Sequence, residues 1–207
     1  MIYNTLIRAT ASAGGCVKPL AAVALMALTL SGCVSAPMQQ ADPSQMPPLL
    51  PAASLGQSRS AQQIVRAAFA DNEATMQCVV DITPQHMSVI ALNAMGLRLF
   101  SISVENGQTT VERMPGVPEQ IQPERILSDI QLAYWPLAKL QQAYRGSAWQ
   151  VSEPFAGTRR LKHDGRLIAE VHYAQADKDL WHGHLWLSNY QFGYSLSVTS
   201  QSQERGE

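Results

Sequence analysis

The chain has 207 residues, 46% of them hydrophobic and 15% charged, and its 15 basic and 16 acidic side chains leave a formal net charge of −1. That is enough apolar material for one domain with a substantial core. The balanced charge argues against a nucleic-acid partner, and three cysteines are too few for a disulfide scaffold.

Arg8 and Lys18 are the only charged residues before Cys33, and an apolar run over 19–30 follows them. A basic start and about a dozen apolar residues have the layout of a secretory signal, and the run is short of the roughly 20 residues that a spanning helix needs. Leu30-Ser31-Gly32-Cys33 ends it. The order leucine, two small residues, cysteine resembles the lipobox of bacterial lipoproteins. The resemblance implies that 1–32 is a signal peptide that is removed. It also implies that the thiol of Cys33 takes a diacylglycerol and that Cys33 becomes an N-terminus carrying fatty acyl chains such as palmitate, which anchor it stably. Val34 stands where enteric lipoproteins retained in the inner membrane carry Asp, so the implied destination is the periplasmic face of the outer membrane. Cys16 has no apolar run before it. With Cys33 acylated, Cys78 is left without an internal disulfide partner, and its apolar setting, MQCVVDI, predicts a buried structural thiol.

Residues 33–57 are rich in Pro, Ala, Ser and Gln and nearly free of charge, which predicts a flexible tether behind the lipidated N-terminus. The folded domain is expected over 58–207. Residues 60–70 suggest a short helix with Ser60 as N-cap and Ile64, Ala67 and Phe69 inward. Strands are expected over 76–82, 87–92, 97–104 and 109–114, the last two joined at Asn106-Gly107, a strong hairpin signal. The region 123–146 is helical, with one stripe at Ile126, Leu127, Ile130 and Ala133 and another at Leu137, Leu140 and Tyr144. Pro136 divides it into two helices, with Trp135 at the corner and Gly146 closing the pair. Five more strands are expected over 149–152, 158–163, 166–174, 180–188 and 192–200, with a hairpin turn at Asp164-Gly165 and another turn over 176–179. Short turns make neighbouring strands antiparallel. The predicted class is α+β, a strongly curved antiparallel sheet, an open half-barrel, with helices packed on its concave face.

Alternation in the last strands puts Leu167, Ala169, Val171 and Tyr173 on one face, as it does Trp181, Leu185 and Leu187, and Phe192, Tyr194, Leu196 and Val198. Such a face is either filled by the helices or left as an apolar cavity for a ligand. In the second case the candidate lining residues are Trp135, Tyr134 and Trp149 with Val171, Tyr173 and Trp181, and Leu185, Tyr194 and Leu196 from the last hairpin.

The block ILSDIQLAYWP, preceded by GLRLFSISVENG and followed by FGYSLSV, resembles a family of predicted bacterial lipoproteins of unknown function, whose members often sit beside genes for aryl-polyene-type lipid synthesis. The wider architecture is similar to the LolA/LolB lipoprotein carriers, which implies an open half-barrel of roughly eleven strands closed by helices around a lipid-accepting cavity. LolB carries an exposed Asn-Pro-Leu-Gly loop whose leucine works at the membrane. Asn93-Ala94-Met95-Gly96 resembles it with Ala for Pro and Met for Leu, which implies membrane contact by Met95.

Other constellations point less far. His182 and His184 share a strand face, and His172 would lie one strand over. Three imidazoles there are either zinc ligands or polar residues of a wet face, and no metal or other cofactor is expected. Arg159, Arg160 and Lys162 read as a solvated strand edge. Asp129 lies beside the apolar stripe and needs a partner, as a cap or on a neighbouring strand. No G-x-S-x-G elbow, P-loop or dinucleotide glycine run occurs, so an enzyme is not expected. The expectation is an outer-membrane-anchored lipoprotein that binds a lipid, acyl or polyene chain, or the acyl groups of another lipoprotein. The alternative is a structural accessory lipoprotein with a filled core and an envelope protein as partner.

Overall fold

The computed structural model describes residues 46–70, 72–115, 117, 122–175 and 178–203. The expected signal peptide and Cys33 lie outside them. Antiparallel strands come in two runs around a helix pair: β1 (Arg59–Phe69), β2 (Asn72–Ile82), β3 (His86–Leu92), β4 (Arg98–Glu105) and β5 (Gln108–Arg113), then α1 (Pro123–Tyr134) and α2 (Leu137–Ala143), then β6 (Trp149–Phe155), β7 (Thr158–His163), β8 (Arg166–Tyr173), β9 (Gly183–Asn189) and β10 (Tyr194–Gln203). They form one ten-stranded sheet in the order β5-β4-β3-β2-β1-β10-β9-β8-β7-β6. The first and last strands meet at its centre, from Ser60 opposite Gln203 to Phe69 opposite Tyr194. The sheet is curved and unclosed, and the helices cover its inner face. The half-barrel therefore stands, with ten strands among the described residues where the LolA/LolB resemblance implied about eleven.

The helix expected over 60–70 is instead β1. Ala61, Gln63 and Ala67 are buried, whereas Ile64 and Phe69, which a helical stripe would have buried, are each 41% exposed. Alanine and glutamine favour a helix locally, but this segment pairs along its whole length with β2 on one side and with β10 on the other. Two complete ladders outweigh a propensity of tenths of a kcal/mol per residue. The hairpins at Asn106-Gly107 and Asp164-Gly165 form as expected, with positive φ at both residues of each pair (50° and 77°, 49° and 76°), the geometry that matches strand twist.

Alternation fails at one place in β8. The register shifts so that Leu161 faces Ala169 while Lys162 faces Leu167. The extra residue, Ile168, is buried beside Ala169, and Leu167 is only half-buried. A bulge puts two neighbouring residues inside, which no strict period-two reading anticipates.

Candidate functional site

The helix pair begins with proline at the first turn of α1 and breaks at Pro136, the N-cap of α2. A proline there cannot donate into a continuing helix, so the chain turns at Trp135, which is fully buried. The inner side of α1 is fixed by polar bonds reaching from four strands. Gln63 of β1 donates to the Tyr134 hydroxyl (2.9 Å) and to Ser200 Oγ of β10 (2.8 Å), and those two hydroxyls lie 2.8 Å apart. The Tyr134 ring stacks on Trp181 at 4.0 Å and 18°, and burial pushes its phenol up to about 12. The Tyr173 hydroxyl of β8 donates to the Ala133 carbonyl.

Arg159 of β7 overturns the expectation of a solvated strand edge. β7 lies between β6 and β8, and Arg159 is 3% exposed. Its Nη1 donates to the carbonyls of Leu132 (2.7 Å) and Trp135 (2.8 Å), and its Nε and Nη2 donate to Glu153. A guanidinium at the end of a helix satisfies carbonyls that have no intrahelical partner and complements the negative end of the dipole. Arg160 is also engaged, through Nε, with Glu170; Lys162 is half-buried.

A polar pole lies along α1 between Arg125 and Asp129. Asp129 is buried, and the Tyr194 hydroxyl donates to its Oδ2 at 2.5 Å, while Asn189 Nδ2 donates to that hydroxyl at 3.2 Å. This is the strand partner, one of the two alternatives expected for Asp129. Burial raises its carboxyl to about 7, against the opposing pull of hydrogen bonds from Tyr194 and Asn189 and of the Arg125 charge. Arg125 lies over the Phe192 ring at 3.6 Å. A cavity of about 10 Å³ opens beside these groups, walled by Met46, Pro47, Trp149, Leu161, Ile168 and Phe192. That is room for about one water.

α1 also carries a strap, residues 46–57, where a flexible tether was expected. Leu50 N–H donates to Gln131 Oε1 (2.8 Å), and Gln131 Nε2 donates back to the Leu50 carbonyl (2.7 Å). Trp135 Nε1 donates to Ser54 Oγ at 2.7 Å. A 3-10 turn at Ala52–Leu55 ends at Gly56, with φ 84°, and Leu55 is buried in the core. The composition suited a tether, but the strap has Leu50 and Leu55 to bury and α1 offers two polar side chains, four residues apart, to hold it.

Of the residues proposed to line a ligand, Trp135, Tyr134, Trp149, Val171, Trp181 and Leu185 are buried, and Tyr173, Tyr194 and Leu196 pack partly buried against the same core cluster. Met95 stands apart at the β3–β4 hairpin tip, 79% exposed, with Leu97 (61%) beside it and Met114 (48%) nearby, where the Met114 N–H donates to Leu99. Asn93 shapes that tip by accepting from the N–H groups of Met95 and Leu97. Cys78 is buried, and its thiol is pushed up to about 12. The imidazoles have separate partners: His172 meets Thr158 and Glu170, and His184 meets Thr199, Ser197 and the edge of Trp186. Among the described residues no three His, Cys, Asp or Glu side chains gather as metal ligands, and no helix is long and apolar enough to cross a membrane. Gln63, Gln131 and Ser200 were not singled out in the sequence, and Arg159 was read as part of a strand edge. The available signal was a polar residue on the same strand face as apolar ones, as Gln63 is with Ala61 and Val65, and Arg159 with Leu161.

The model of a family described as a protein of unknown function, DUF3261, matches residues 60–202. No curated protein matches the sequence. Among solved structures the chain is similar to a LolA superfamily protein from Nitrosomonas europaea (11% identity, 73% of this chain and 87% of that one, TM-score 0.46). It is also similar to a putative outer membrane lipoprotein-sorting protein domain from Vibrio parahaemolyticus (10%, 73% and 87%, TM-score 0.41). A third is a DUF1329 family protein from Desulfovibrio piger (7%, 74% and 90%, TM-score 0.37).

Proposed function

The chain belongs to the DUF3261 family of proteins of unknown function, and from that premise we propose that it is a lipid-anchored binding protein of the outer membrane that takes an acyl or polyene chain, or the acyl groups of a lipoprotein, between its half-barrel and its helix pair. The carrying observation is the inner face itself. Trp149, Val171, Trp181 and Leu185 belong to the same buried apolar cluster as Tyr134 and Trp135 of the helix pair, and the helices and strap that complete it belong to no sheet. Burying a chain there offsets the cost of about 0.8 kcal/mol per methylene that the chain would meet in water on leaving a membrane, so transfer needs no chemical step. Cys33 is the anchor in this reading, and Met95 with Leu97 and Met114 is the tip that touches the bilayer.

A specific observation favours a second reading. The cavity beside Asp129 holds about one water, and the inner side chains are packed against the helices, as a structural accessory with a filled core would have them. Quenching of tryptophan fluorescence by a brominated fatty acid separates the two. Trp135, Trp149 and Trp181 are 6% exposed or less, whereas Trp186 is 49% exposed. A chain entering the half-barrel quenches the buried, blue-shifted emission. Quenching confined to the exposed component contradicts the carrier reading and favours the accessory one.

A further inference from the structure

The strap is the lightest-held cover of the inner face. The helix pair is bound to the sheet through Tyr134, Asp129, Ala133 and the Arg159 bridge. Among the described residues the strap pairs with no strand, and its polar attachments to α1 are the Leu50–Gln131 exchange and the Trp135–Ser54 bond. α1 is tied to four strands and buries Leu127, Leu132, Ala133 and Tyr134, whereas the strap has these hydrogen bonds and one fully seated apolar side chain, Leu55, so the strap separates from α1 at less cost than α1 separates from the sheet.

Its first residues, Met46 and Pro47, form one wall of the cavity that Trp149, Leu161, Ile168 and Phe192 complete. At the polar end of that cavity the Arg125 Nε–H is buried and has no hydrogen-bond partner among the described residues. Buried donors are almost always paired, and an unpaired one beside an apolar wall suits an acceptor that arrives with a ligand.

We propose that residues 46–55 are a removable wall: an acyl chain with an anionic head group displaces Met46 and Pro47, lies along Trp149 and Phe192, and places its head at Arg125, while α1 stays on the sheet. This rests on the acyl-binding reading above and names its entrance and the polar end of its ligand. It also links the strap to access. Only the undocked fraction binds, so apparent affinity is scaled by that fraction.

Leu50→Pro removes the N–H that Gln131 accepts, and Ser54→Ala removes the acceptor of Trp135. Both changes are confined to the strap, so the sheet and helices are left intact. The chain starting at Gln40 is suitable, since Gln40–Glu207 is one compact unit holding every described element. Binding of dansylated undecanoic acid is measured by fluorescence for the parent and the double variant, with amide exchange at 52–56 confirming release of the strap. The expected result is tighter binding by the variant, by about fivefold or more, and weaker binding of the methyl ester than of the acid to both proteins. Equal affinity in parent and variant, with the strap released, overturns the removable wall and leaves the acyl-binding reading standing. Equal affinity for acid and ester overturns the anionic head. No binding by either protein overturns the acyl-binding reading and this proposal with it.

Discussion

Asp129 and Arg159 show how single side chains hold α1. Burial keeps the Asp129 carboxyl at about 7 in the folded chain, above its ordinary 3.8. Between these values the folded state keeps a proton that the unfolded chain has released, so this group's contribution is fully present below about pH 4 and is lost as pH rises to about 7. Asp129→Asn removes the titration while keeping an acceptor for Tyr194. On acidification from pH 7.5 to 5, wild type should gain stability relative to this variant, on the order of 2 kcal/mol by urea unfolding; parallel profiles would refute the shifted carboxyl. Arg159 is buried and satisfies two carbonyls at the end of α1 and one carboxylate. Arg159→Met leaves all three without their partner and should cost about 3 kcal/mol in urea unfolding at pH 7.5. A loss below about 1 kcal/mol would mean that Arg159 is replaceable by packing alone.

At the scale of elements, the legible features were those with a local cause. Asn106-Gly107 and Asp164-Gly165 supply positive φ, Pro136 stops a helix, and period-two patterns mark β9 and β10. Gly165 has φ 76° and open space where a Cβ would be added, so Gly165→Ala should cost about 1–2 kcal/mol through backbone conformation alone, read from the urea midpoint; no loss would mean that the turn relaxes. What stayed hidden depended on partners distant in sequence. β1 is a strand because β2 and β10 flank it, although its Ala and Gln content suits a helix. The strap is docked because Gln131 and Trp135, some 81 positions later, face it. Ile168 is buried because β8 bulges against β7. The sequence located the inner-face residues but not whether helices or a ligand cover them, since both outcomes need the same apolar pattern.

For the whole molecule, the pairing of first and last strands at the sheet centre leaves β5 and β6 as the outer strands and puts the helix pair, inserted mid-chain, across the inner face. The polar links run between α1 and β1, β7, β8 and β10 and tie the helix to the sheet, while the strap, apart from Leu55, and the Met95 tip lie outside that network. That division is what a carrier needs: a rigid apolar wall, a light cover, and an exposed apolar tip. The most direct measurement is the native mass of the full protein purified from the envelope of its own host, followed by extraction and identification of what dissociates. The account predicts an N-terminus at Cys33 carrying acyl groups and, beyond that covalent mass, a stoichiometric acyl or polyene compound. A protein with no such adduct, which also takes up none when offered acyl chains, would contradict the account and leave the filled-core accessory as the reading that stands.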